Sequence, residues 1–146
     1  MREMEIQVRY RSRGGNTEKL ARAIGKAVAA EVEDCRVPVT QATDLLFLGG
    51  SVYGFDVDEQ IKSCIESLDP ALVKCVAVFG SSAIVESGNN SMIKLLRKKN
   101  IPVMPQHFHC FGRFLIMHPG RPNERDCNAV ADFARKVVNA QKHSNS

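Results

Sequence analysis

Several common signatures are missing from this sequence, and each absence closes off a class of protein. No apolar run approaches the ~20 residues a bilayer-spanning helix needs, so no membrane segment is expected. The first residues, Met1-Arg2-Glu3-Met4-Glu5, lack the long apolar stretch of a secretory signal. The five cysteines (35, 64, 75, 110 and 127) are odd in number and contain no Cys-x-x-Cys pair. They read as reduced, mostly buried thiols in a cytoplasmic protein. Nor is there a block of Lys and Arg. The net charge of +4 is spread out, with Lys98-Lys99 and the Arg11/Arg13 pair as the only local clusters. No nucleic-acid or membrane partner is expected from that balance. No Gly-Lys-Ser/Thr triplet follows a strand pattern, and no Gly-x-Gly-x-x-Gly occurs, which removes two familiar nucleotide loops. A receiver domain would need an acidic pair after the first strand and an aspartate after the third. Those places hold Arg/Ser and Gly49-Gly50-Ser51. Repeats, low-complexity segments and interdomain linkers are absent too, so 146 residues read as one domain.

What is present is a regular alternation of strand and helix patterns. Met4–Tyr10 alternates apolar and polar residues as a strand, and Thr17 to about Ala30 reads as an amphipathic helix, with Glu18 and Arg22 four apart on its outer side. Cys35–Val39 reads as a short edge strand because it contains Pro38. Leu45–Leu48 is an apolar run suited to a central parallel strand, ending in Gly49-Gly50 and followed by a loop at 51–57. Ile61, Cys64, Ile65 and Leu68 make a helix face, with Asp58 as its cap and Asp69-Pro70 as its stop. Cys75–Phe79 is a second buried strand ending at Gly80, with a polar loop over 81–90. A short helix follows from Met92 to near Asn100, and a fifth strand spans Val103–Phe111. After a long connection over 112–122, Asn123 caps the last helix, with Asp126 three residues on. Residues 141–146 are expected to form a frayed tail.

Five strands alternating with four helices argue for an α/β fold with a parallel sheet. Ligands of such sheets bind at the carboxyl ends of the strands. Three loops there are rich in small and polar residues: 11–17, 51–57 and 81–90. The first, Tyr10-Arg11-Ser12-Arg13-Gly14-Gly15-Asn16-Thr17, joins a strand to a helix N-terminus. The first N–H groups of a helix have no internal partner, and the positive end of its dipole faces the loop, which makes such a junction an anion site. Ser12 and Thr17 add hydroxyl donors and Asn16 an amide donor. A phosphate monoester fits this chemistry. One feature sits awkwardly. Gln7 and Arg9 are polar on a strand that should be apolar on both faces, which calls for a thin helix layer there or a carboxylate partner for Arg9.

Ser12-Arg13-Gly14-Gly15-Asn16-Thr17 resembles the Ser/Thr-x-Thr-Gly-Asn-Thr phosphate loop of the flavodoxin-like family, with Gly14 in place of the middle threonine. Gly50-Ser51-Val52-Tyr53-Gly54 is similar to the family's second loop, without its proline. Phe79-Gly80-Ser81-Ser82 is similar to its third. Three loops in the right order on the right strands extend the resemblance over about residues 4 to 138.

The resemblance implies a single flavodoxin-like domain over 1–146. Its fold would be a three-layer α/β/α sandwich on a five-stranded parallel sheet of order 2-1-3-4-5, with FMN at the switch between the first and third strands. It implies that Ser12, Asn16, Thr17 and the amides of residues 13 to 17, Arg13, Gly14 and Gly15 among them, hold the 5′-phosphate. Arg13 would replace by charge the hydroxyl that Gly14 lacks. Tyr53, beside Val52, would stack on the isoalloxazine, and the Tyr53-Gly54 backbone would lie near N5. Main-chain groups of Gly80, Ser81 and Ser82 would meet the pyrimidine edge. The implied function is electron transfer to a redox partner. An FMN-dependent NAD(P)H oxidoreductase or a flavin-carrying accessory subunit is the alternative.

Familiar flavodoxins are strongly acidic, and this chain is basic. The reduced, anionic flavin would therefore be less disfavoured, and the partner would dock through an acidic face. His107, His109 and Cys110 do not make a metal site, because Cys110 points away from the histidine face and no second ligand pair stands out. Cys110 lacks the Arg of a Cys-x5-Arg phosphatase motif and reads as a packed thiol.

Overall fold

The protein is described by a computed structural model over residues 4–12, 15–53, 56–57, 59–82, 87–111 and 123–144. In chain order the elements are β1 (Ile6–Tyr10), α1 (Asn16–Val28), β2 (Glu31–Asp34), β3 (Leu45–Tyr53), β4 (Asp56–Val57), α2 (Glu59–Ser67), β5 (Val76–Ser82), α3 (Ser87–Lys98), β6 (Phe108–Phe111) and α4 (Glu124–Ser144). The parallel strands run β2-β1-β3-β5-β6 across the sheet. β4 is two residues long and pairs antiparallel with the end of β3. Counting the parallel strands alone, this is the expected order 2-1-3-4-5.

Alternation along the strands sends side chains to two faces. On one, Val8, Tyr10, Leu45 and Phe47 pack with Leu20 and Ile24 of α1 and with Val130, Ala134 and Val137 of α4. On the other, Leu46, Leu48, Val76 and Val78 pack with Ile61 and Ile65 of α2 and with Met92 and Leu96 of α3. The result is a three-layer α/β/α sandwich. α4 starts as expected: Asn123 N–H donates to Asp126 Oδ2 at 2.9 Å, and Asp126 N–H donates to Asn123 Oδ1 at 3.0 Å, a reciprocal capping box.

Several boundaries differ from the sequence reading. β2 is Glu31–Asp34, and Cys35–Val39 is not a strand. β1 pairs with β2 from Gln7↔Glu31 to Tyr10↔Asp34, and an edge strand that is half exposed needs no apolar run. The chain then turns, with Val37 N–H donating to Asp34 O at 2.9 Å. β3 and β5 run past their glycines to Tyr53 and Ser82, because ladder bonds need only backbone. Within the expected loop at 51–57, residues 51–53 are therefore the end of β3, and Asp56–Val57 form a return strand. α3 starts at Ser87, five residues before Met92, where the apolar pattern begins. Of the stretch from Val103, only Phe108–Phe111 is a strand, with Val103 making an isolated bridge to Val76. The expected frayed tail is helix as far as Ser144. Gln141 is buried and donates from Nε2 to Asp44 O at 3.3 Å. Asp44 also accepts from Glu5 N–H at 2.8 Å and pairs with Lys74 at 3.2 Å, so the end of α4 is tied to the entries of β1 and β3. Asp58 and the 112–122 connection lie outside the described residues.

The awkward pair on β1 has a specific resolution. Arg9 is only 5% exposed. Its Nε donates to Val37 O at 2.9 Å and its Nη2 to Pro38 O at 3.5 Å. Nη1 donates to Gln7 Oε1 at 3.0 Å and to Val8 O at 3.1 Å. That face of β1 is thus covered by the turn after β2 rather than by a helix. Main-chain carbonyls take the place of the carboxylate partner. Burial lowers the Arg9 pKa, and the nearby charges of Glu31 and Glu33 oppose that. Arg9→Met should cost about 2–3 kcal/mol, because it strands carbonyls whose donor it removes. Urea denaturation would measure this. A midpoint equal to wild type would mean that water serves these carbonyls equally well.

Candidate functional site

The parallel register sets the carboxyl ends of four strands side by side. Tyr10 of β1 pairs with Gly49 of β3, and Gly50 and Ser51 pair with Gly80 and Ser81 of β5. Gly80, Ser81 and Ser82 in turn pair with His109, Cys110 and Phe111 of β6. Connections leave β1 toward one side of the sheet and β3 toward the other, so the gap between them is the topological switch point.

The β1–α1 junction is built tightly. Arg11 N–H donates to Gly49 O at 3.0 Å, which carries the ladder one residue beyond β1. Ser12 Oγ then accepts from Gly15 N–H at 2.9 Å and draws the loop round. Its own O–H remains a donor for a ligand. Gly15 is the N-cap of α1, with φ of 89°, a left-handed conformation that glycine adopts without strain. Its carbonyl accepts Lys19 N–H at 3.1 Å and starts the helix. Having no side chain, this N-cap makes no side-chain hydrogen bond to the first turn. A Cβ built on Gly15 would meet nothing within 4 Å, so the space beside it is open. Asn16 and Thr17 form the start of α1, with Thr17 fully buried. A hydroxyl, an amide side chain and a helix N-terminus come together at this junction, a donor set that fits a phosphate group.

The structure therefore brings Ser12, Gly15, Asn16 and Thr17 to the same sheet edge as Val52, Tyr53, Gly80, Ser81 and Ser82. Val52 and Tyr53 lie at the end of β3, paired with Val57 and Asp56. Arg13, Gly14 and Gly54 lie outside the described residues. Two features were missed in the sequence. Gly49, which reads only as the end of an apolar run, serves packing: a Cβ there would lie 2.3 Å from Cε2 and Cζ of the Phe79 ring. The His109–Phe111 backbone also belongs to the site edge. The expected strand order already put this strand beside β5, but the register that brings its last residues level with Gly80–Ser82 was not visible. Among the described residues, no group of three or more His, Cys, Asp or Glu could hold a metal ion, and no helix is long and apolar enough to cross a membrane.

These features define a flavodoxin-like fold, and solved structures agree. No protein-family model matches the chain, and no curated protein sequence matches it. Its fold matches a flavodoxin from the domain Archaea with a TM-score of 0.78 at 18% identity, covering 96% of this chain and 100% of that one. Flavodoxin 2 from Bacillus cereus matches with a TM-score of 0.71 at 21% identity, over 93% of this chain and 99% of the other. Rubredoxin oxygen:oxidoreductase from Desulfovibrio gigas matches with a TM-score of 0.76 at 12% identity. There the match covers 97% of this chain but only 37% of the larger one.

Proposed function

We propose that the protein binds FMN without covalent attachment and passes electrons to a partner protein. The observation that carries this is the donor set at the switch point. Ser12, Gly15 and the α1 N-terminus meet at one junction with open space beside Gly15, next to two more strand ends built from small residues. The Ser12 hydroxyl, Asn16, Thr17 and the amides from 13 to 17 hold the 5′-phosphate, with the charge of Arg13 replacing the hydroxyl that Gly14 lacks. Tyr53, after Val52, stacks on the ring system, and Gly54 brings backbone to its edge. Gly80, Ser81 and Ser82 offer main-chain groups to the pyrimidine side. Bound FMN would supply one- or two-electron chemistry, and the chain orients it and limits its access to water. The net charge of +4 suits a redox partner with an acidic docking face. A cytoplasmic setting agrees with five cysteines that lack a disulfide pattern.

A second reading, an FMN-dependent NAD(P)H oxidoreductase or a flavin-carrying accessory subunit, has one observation in its favour. The same fold forms about a third of the length of an oxygen:oxidoreductase, where it matches 37% of the chain. The spectrum of the purified protein tests the shared premise. A yellow preparation absorbing near ~450 nm is expected, the ordinary flavin band. A colourless protein that takes up no added FMN would sink both readings. NAD(P)H oxidation by the isolated protein would favour the second.

A further inference from the structure

Two thiols lie at the same end of the sheet, on its α2 side, and the flavin reading gives them no role. Cys35 follows β2 and donates its N–H to Tyr10 O at 2.6 Å, so it sits beside the β1–α1 junction. Cys64 is on α2, on the face with Ile61 and Ile65 that packs against the sheet. Each is 6% exposed, and both belong to one core cluster. Cys35 Sγ donates to Gln60 O at 3.8 Å, the carbonyl one helical turn before Cys64. Gln60 lies four residues before Cys64 in α2, so the Cys35 thiol rests on the helical turn that carries Cys64. Arg9 closes the group. Its guanidinium is held by Val37 O and Pro38 O, two and three residues beyond Cys35, and its charge acts on Cys64.

We infer that Cys35 and Cys64 are a redox-active dithiol, which closes to an intramolecular disulfide when a peroxide oxidises it. The surroundings divide the roles. The Cys35 hydrogen bond lowers the pKa of Cys64 against the effect of burial, with Arg9 helping, while the same bond and burial raise that of Cys35. Cys64 is therefore the more acidic thiol of the two, and Cys35 the one that holds its proton. In contrast, burial pushes up the thiols of Cys75 and Cys127, which makes them poor nucleophiles. In the first step the Cys64 thiolate attacks one oxygen of hydrogen peroxide. The O–O bond breaks, hydroxide leaves and takes up a proton as water, and Cys64 becomes a sulfenic acid. Cys35 then gives up its proton and its sulfur attacks the Cys64 sulfur. The S–S bond forms, the S–O bond breaks, and a second water leaves. Two thiols and one peroxide thus give one disulfide and two waters. Peroxide is small enough to enter through local opening of the α2 face. The bond would staple the Arg9-held turn after β2 to α2.

Reduced wild-type protein, treated with hydrogen peroxide and then alkylated, tests this by mass spectrometry. Before alkylation one species lighter by about 2 Da is expected, the loss of two hydrogens, and after it that species carries two alkyl groups fewer than the reduced protein. Trypsin should release a cross-linked pair joining residues 27–36 to residues 63–74, which dithiothreitol separates. Cys35→Ser should abolish the cross-link and leave a dimedone-reactive sulfenic acid on Cys64. If that variant does not fold, the wild-type cross-link map decides alone. Oxidation without the 27–36/63–74 cross-link, or a disulfide formed through Cys75, Cys110 or Cys127 instead, overturns the proposal.

Discussion

Replacing Asn16 and Thr17 together by alanine lowers FMN affinity by at least ~100-fold and leaves riboflavin affinity unchanged. The expectation rests on what the two side chains offer. A hydrogen bond to a charged group is worth about 1.5–3 kcal/mol, and every 1.4 kcal/mol is tenfold in affinity. Two such bonds lost from a phosphate therefore give ~100-fold at the low end. Riboflavin carries the same ring system without the phosphate, so it separates a local effect from a general loss of structure. Titration of the flavin-free protein, followed by flavin fluorescence, measures both affinities. Equal weakening of the two ligands would mean that the substitutions act through the fold, since Thr17 is fully buried at the start of α1. No weakening of either would move the phosphate away from this junction.

Gly49→Ala destabilises the fold by about 3 kcal/mol, near the upper end of what overpacking a core costs. The added methyl would sit 2.3 Å from two ring atoms of Phe79, a fully buried side chain in the α1/α4 core. The ring cannot swing away, because its neighbours are packed against it. The adjacent Gly50 is the control. A Cβ there lies 3.1 Å from Ile61 Cγ1 and 3.3 Å from Met92 Sδ, and a methionine can adjust. Gly50→Ala should therefore cost ~1 kcal/mol or less. Thermal melts of both variants settle the order. Equal melting temperatures would show that the Phe79 ring shifts freely, and the assignment of Gly49 to packing would fail.

These two glycines illustrate how far the sequence could be read. Gly49-Gly50 marks the end of an apolar run, and the register confirms that the run is a central strand. Nothing local distinguishes a glycine left open for a ligand from one filled by a ring arriving from β5. Gly15 is the opposite case. Between a strand and a helix a glycine permits a left-handed turn, and its φ of 89° is such a turn. Arg9 was legible as an anomaly but not as a solution. Its acceptors are the carbonyls of Val37 and Pro38, and any residue types there would have offered carbonyls. The same holds for Gln141, whose partner Asp44 is 97 residues away.

The sequence by itself determined the alternation of strands and helices, the parallel sheet and the phosphate-fitting junction at Ser12–Thr17. Those follow from periodicity, turn chemistry and helix-end physics, all of which act over a few neighbouring residues. Tertiary structure alone decided the register that levels particular residues at the strand ends, why Gly49 must have no side chain, how a charged Arg9 rests inside the fold, and that Cys35 reaches the turn of α2 that carries Cys64. Each depends on atoms brought together from distant parts of the chain. Backbone carbonyls and empty volumes, which settle most of these cases, leave no mark on residue identity.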